Sequence, residues 1–194
     1  MRGTPPGGGS QVREAPDRFR LNRLLGFAER VDAITTQIGR AASWLYPVLV
    51  GVLLLNVIAR YGFGVGSIEL EELQWHLYSA AFLLGLAYTY AADEHVRVDI
   101  LASRIGPRAK LWIELLGALL LLVPFAGIGT FHAWNFFWDS FRLGERSPMP
   151  SGLPARWVIK AILFIALALL TLQATSVAAR SAALLSGVPG RRTR

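Results

Sequence analysis

The chain has 194 residues, 53% of them hydrophobic and 17% charged, with a formal net charge of +7 and no cysteine. Soluble domains are nearer to about 25% charged, so the composition points away from one. Without cysteine there is no disulfide framework, thiolate nucleophile, iron–sulfur cluster or sulfur-ligated zinc site, and no glycine-rich loop ends in Lys-Ser or Lys-Thr to cradle a nucleotide phosphate.

Taken in chain order, residues 1–17 are expected to be a disordered tail and not a signal peptide. Met1–Ser10 hold three consecutive glycines and two prolines and lack an apolar run. Over residues 18–40, Leu21, Leu24, Leu25, Ala28, Val31, Ile34 or Thr35, and Ile38 recur at helical spacing, with Arg20, Arg23, Arg30 and Asp32 between them. That pattern predicts an amphipathic helix, either lying in the membrane interface against anionic lipid or packed on a partner.

Residues 41–180 carry four long windows without a charged side chain. Between Arg40 and Arg60, Glu72 and Asp93, Glu114 and Asp139, and Lys160 and Arg180 lie 19, 20, 24 and 19 residues. A helix needs about 20 apolar residues to cross about 30 Å of hydrocarbon, so the windows predict an all-α integral membrane protein with four transmembrane helices. Ser67 is placed to cap the second span, and Glu69, Glu71 and Glu72 crowd its first turns, where the helix dipole favours negative charge. After Asp93-Glu94, the residues Val96, Val98, Ile100, Leu101 and Ile105 suggest a short interfacial helix, stopped by Gly106-Pro107. A third span from Pro107 to Trp138 has 32 residues. At about 48 Å it exceeds the bilayer, which predicts tilt, protrusion or a bend at Pro124, with Gly127 and Gly129 nearby. Phe131, Trp134, Phe136, Phe137 and Trp138 match an interfacial aromatic belt, and the Arg142–Pro154 loop, with three prolines, is expected to be rigid and irregular. Trp157 and Lys160 open the fourth span, and residues 181–194 form a basic cytoplasmic tail.

The distribution of basic residues predicts orientation. Fifteen of the 20 lie before span one, between spans two and three, or from Arg180 onward. Basic residues resist translocation, so both termini are expected in the cytoplasm. Because the arginines flank apolar windows and form no stripe on a soluble module, nucleic acid is not an expected partner.

Few polar residues are left to carry chemistry. Glu114 is expected to pair with Lys110 one turn away. Asn56 and Arg60 share a helix face, and Arg60 is placed to pair with Glu69, Glu71 or Glu72 across the first outer hairpin. His76 and His132 fall at comparable depth on antiparallel spans. That leaves open a haem-b-bearing anchor subunit of a respiratory enzyme, beside the plainer reading of two hydrogen-bonded histidines. Ala81 with Gly85, and Ala174 with Ala178, are small residues four apart that permit close helix approach. No catalytic cluster is visible, and no cofactor is expected.

The segments Asn56-Val57-Ile58-Ala59-Arg60-Tyr61, Glu71-Glu72-Leu73, Gly85 and His95-Val96-Arg97-Val98-Asp99, in that order and at span ends, resemble the small permease (Q-type) subunit of tripartite ATP-independent periplasmic (TRAP) transporters. The resemblance runs from about Arg40 to Arg180. Glu71–Tyr78 and Gly152–Lys160 look like the branch associated with 2-oxo acids, mannitol-type or aromatic carboxylate substrates. It implies a non-catalytic subunit in the bacterial inner membrane. A large (M-type) permease subunit would carry the substrate and sodium sites and move elevator-fashion, while a periplasmic solute-binding protein delivers an organic acid. The small subunit would brace the large one and help dock the binding protein. Arg60, Glu69, Glu71 and Glu72 are the docking candidates. His95 to Asp99 are expected to touch lipid or the large subunit.

Overall fold

A computed structural model describes the backbone of residues 11–92 and 106–186, and the side chains of 23–92 and 106–186. The first ten residues, the short helix expected near 96–105 with His95, Val98 and Asp99, and most of the basic tail lie outside the described residues.

The described residues fold into helices alone: α1 (Gln11–Ser43), α2 (Leu45–Gly62), α3 (Ile68–Ala91), α4 (Pro107–Leu143) and α5 (Trp157–Leu185). Helix α1 begins at Gln11, upstream of the start expected at residue 18, and is separated from α2 by Trp44 alone. Its buried stripe is Ala28, Val31, Thr35, Gly39 and Ala42, which faces α5 and α3. The larger Leu24, Phe27 and Ile34 point outward. Backbone proximity selects the small side chains for the packed face. At Gly39 a β-carbon would collide with the ring of Tyr88 on α3.

Three stretches are long and apolar enough to cross a membrane by length and composition: Arg23–Gly62, Pro107–Leu143 and Trp157–Leu185. Helix α3, expected as the second span, is 24 residues long but is not among them. Glu69, Glu71, Glu72, Gln74 and His76 fill its first turns, and Tyr78, Tyr88 and Tyr90 dilute the rest. Its start is as expected: Ser67 Oγ accepts from the Leu70 N–H at 3.2 Å.

Helix α4 resolves its excess length and its proline together. Ahead of Pro124, residues Gly117–Leu122 widen into a π-turn, with the Val123 N–H reaching the Ala118 carbonyl. A proline ring collides with the carbonyl four residues back, and one extra residue in the turn relieves that clash. Helix α5 is the centre of the bundle, packing against α4, α1 and α3, while α2 rests mainly on α3. Ala174 and Ala178 are buried in α5, as their spacing predicts, together with Ala166, Ser176, Ser181 and Ala183.

Candidate functional site

The connections 63–67 and 144–156 meet at one end of the bundle, the loop end, where side chains tie them together. Arg60, in the last turn of α2, pairs with Glu71 in the first turns of α3. Both side chains are nearly half exposed, so the pair sets register more than it stabilises. Glu69 accepts from Ser67 Oγ at 2.8 Å and also bonds Ser151 of the long loop.

Glu72 is the main anchor of the long loop. It accepts from Ser147 Oγ and, at 2.7 Å, from the Leu153 N–H. Ser147 N–H in turn donates to the Leu153 carbonyl at 3.2 Å. Gly152 must be glycine here, since a β-carbon would strike Ser147 and come within 2.9 Å of Glu72 Oε1. Next in the loop, the Glu145 carboxylate pairs with Lys160 of α5, and its backbone carbonyl accepts from the Arg156 N–H at 3.0 Å. The Lys160 hydrogen bond, helped by Ser140, holds the Glu145 carboxyl below its ordinary range. Lys160 Nζ also sits 3.8 Å from the centre of the Phe136 ring. Just before α5 the backbone turns through Ala155 at φ 62°, a left-handed conformation unfavourable for a residue with a β-carbon. The loop is therefore irregular and tied at several points, as its prolines suggest.

Glu72, Trp75, His76, Ser147, Leu153 and Arg156 line a shallow cleft of about 240 Å³ at this end. His76 Nδ1 lies 2.7 Å from the Glu72 carbonyl oxygen. His132 is exposed, edge-on to Phe131 at 5.6 Å. Helices α3 and α4 each pack on α5 and make no extensive contact with one another, so the two histidines do not face a common gap. That arrangement gives no support to axial ligation of a haem. Among the described residues no group of three or more His, Asp or Glu side chains is placed to hold a metal ion.

Of the other expected residues, Asn56 is the one buried residue of α2, and its Oδ1 has no hydrogen-bond partner; Gln74 Nε2 on α3 is likewise buried without one. Gly85 lines a second groove at the opposite end, between α1, α2 and α3. Glu114 accepts from Ser181 Oγ at 3.3 Å, an interhelical contact that the pairing expected with Lys110 did not include.

The strongest polar cluster was missed. Asp32 belongs to the packed side of α1, not to its charged face. It accepts from Gln173 Nε2 at 2.7 Å and Ser176 Oγ at 3.3 Å, and pairs with Arg180. One signal was available: Asp32 lies between Ala28 and Thr35 on the small-residue stripe, while Gln173 and Ser176 interrupt an otherwise apolar helix.

The aromatic belt is partly a zip between helices. Trp134 stacks on Trp138 at 5.8 Å and tilts against Phe164 of α5 at 5.2 Å, and Phe141 meets Trp157 edge-on at 5.3 Å. Phe131 and Phe136 remain exposed on the flank.

Comparison with known proteins identifies a family. Residues 49–184 match the family model described as the DctQ component of tripartite ATP-independent periplasmic transporters. A Haemophilus influenzae protein named "Putative TRAP transporter small permease protein" is 27% identical over 104 residues, covering 53% of this chain. The matched region spans 62% of that relative's length. No solved structure matches the chain. With a family match over most of its length, all-helical architecture and apolar flanks, the chain belongs to the DctQ family, the small permease components of TRAP transporters.

Proposed function

We propose that the chain crosses the bacterial inner membrane four times with both termini in the cytoplasm. In this reading α3 is a span and the loop end faces the periplasm. The protein acts without catalysis as a fixed brace for the large permease subunit of a sodium-coupled, organic-acid TRAP transporter. Its loop end helps dock the solute-binding protein. One observation carries the reading: at the loop end Glu72 ties α3 to the 144–156 loop, leaving a fixed polar platform above helices whose outer faces are apolar. A brace needs a wide lipophilic flank, and a docking surface needs charges that do not drift.

Removing the chain should abolish uptake while the binding protein keeps its affinity for substrate; uptake at the normal rate would sink the proposal. Glu71→Lys and Glu72→Lys should slow uptake in a salt-dependent way, because charge steering is screened by ions. The chain lacks cysteine, so single cysteines at Tyr61, Ala92 and Met149 report topology directly. An impermeant maleimide applied from the periplasm should label Tyr61→Cys and Met149→Cys but not Ala92→Cys. Labelling of all three would remove the four-span arrangement.

A further inference from the structure

We propose that the groove between α1, α2 and α3, at the end opposite the loops, binds the headgroup of one anionic phospholipid with a hydroxylated headgroup, of the phosphatidylglycerol kind. The proposal rests on the four-span reading, which puts this end at the cytoplasmic headgroup level. The groove holds about 270 Å³. It lies around the Trp44 junction, where the last turns of α3 meet α1 and the start of α2. Arg40 lines it and has no carboxylate partner among the described residues, whereas Arg60 and Arg180 are both paired. The phenols of Tyr46 and Tyr88 also line it, and neither has a hydrogen-bond partner among the described residues. Packing of Tyr88 over Gly39 fixes where its ring stands.

These groups divide by chemistry. A guanidinium and two phenols can donate to a phosphate. Ser43 Oγ and Thr89 Oγ1 already donate to carbonyls of their own helices, to Arg40 at 2.7 Å and to Gly85 and Leu86 at 3.1 and 3.0 Å. Their free lone pairs can only accept, which suits headgroup hydroxyls. Trp44, 73% exposed beside the groove, is the residue type that anchors at the headgroup level. Basic pockets between helices at the cytoplasmic surface suit anionic lipid.

The test uses the full chain, reconstituted with mixed phosphatidylglycerol and phosphatidylcholine, re-extracted in detergent and weighed by native mass spectrometry. One phosphatidylglycerol per chain should remain bound, in preference to phosphatidylcholine. Arg40→Gln should lower its retention about fivefold, the effect of one basic residue near an anionic surface. Gly85→Leu should displace it, because a β-carbon at Gly85 meets nothing within 4 Å and the longer side chain would take up the groove. Arg40→Lys should keep part of the retention and Arg30→Gln, on exposed α1 surface, all of it. Equal retention of both lipids, or unchanged retention in Arg40→Gln and Gly85→Leu, overturns the proposal. So does full displacement by inorganic phosphate, which would mark a free-anion site. Lipid retention is read without transport, so failure here and failure of the transport assignment are separable.

Discussion

Helices α5 and α2 are both strongly apolar, yet one is the axis of the bundle and the other its rim. Helix α5 buries Ala166, Leu169, Gln173, Ala174, Ser176, Ala178, Ser181 and Ala183, whereas α2 buries Asn56 alone. On α2, Val48, Leu54, Leu55 and Ile58 point outward, each more than half exposed. Hydrophobicity cannot sort the two, because lipid tails accept leucine as readily as a protein interior does. Size sorts them: alanine and serine let backbones approach and gain dispersion contacts, while branched side chains face lipid or a partner. An apolar helix in this protein is central when its residues are small.

Overfilling the axis should have the largest effect. Ala174→Leu places three more carbons where the residue is fully buried and should destabilise the fold by about 3 kcal/mol, toward the top of the range for overpacked cores. Its counterpart Leu54→Ala on the rim should change stability by no more than about 0.5 kcal/mol. Thermal unfolding in detergent compares the two directly, and equal effects would break the contrast. Next comes the polar lock on α5. Asp32→Ala strands the buried Gln173 Nε2 and unpairs Arg180, leaving Ser176 only the Ala28 carbonyl, and should cost about 2 kcal/mol. Hydrogen exchange should rise across α1 and leave α2 unchanged; uniform exchange would show that Asp32 does not hold α1 to the axis.

Two smaller effects belong to the loop end. Ala155→Gly should stabilise by about 0.5–1 kcal/mol, because glycine adopts a positive φ without the β-carbon clash. A loss of stability would show that Ala155 is not strained. Acidification should loosen the 144–156 loop through Glu145. Its folded carboxyl titrates below the ordinary value. The stabilisation it provides is therefore complete above the ordinary carboxylate range and lost as pH falls through the folded value. Hydrogen exchange of the loop followed against pH should show that step in the wild type and a smaller one in Glu145→Gln, where Glu72, also held below its ordinary range by Ser147 and the Leu153 N–H, still releases the loop on protonation.

Much of this organisation follows from local pattern. Ser67 caps α3, Gly106-Pro107 opens α4, and Arg60 finds one of its three foreseen partners in Glu71. These depend on residues close in sequence or joined by a short hairpin. What pattern did not reveal are meetings across long separations. Glu72 looks like one more acidic residue in a helix first turn until the loop carrying Ser147 and Leu153 is folded over it. Asp32 looks like a solvated charge until α5 brings Gln173, Ser176 and Arg180 to it. The π-turn before Pro124 is intermediate, since the proline announces a disturbance without saying whether the helix bends or widens.

Composition and the spacing of charges determined by themselves that this chain is helical, apolar and built for lipid, because the hydrocarbon core leaves a backbone few other ways to satisfy its hydrogen bonds. Only the tertiary structure decided which helix stands at the centre, which face of α1 turns inward and which carboxylates bind loops. In lipid those choices rest on side-chain size and on polar pairs between distant segments, and neither is visible until the helices are side by side.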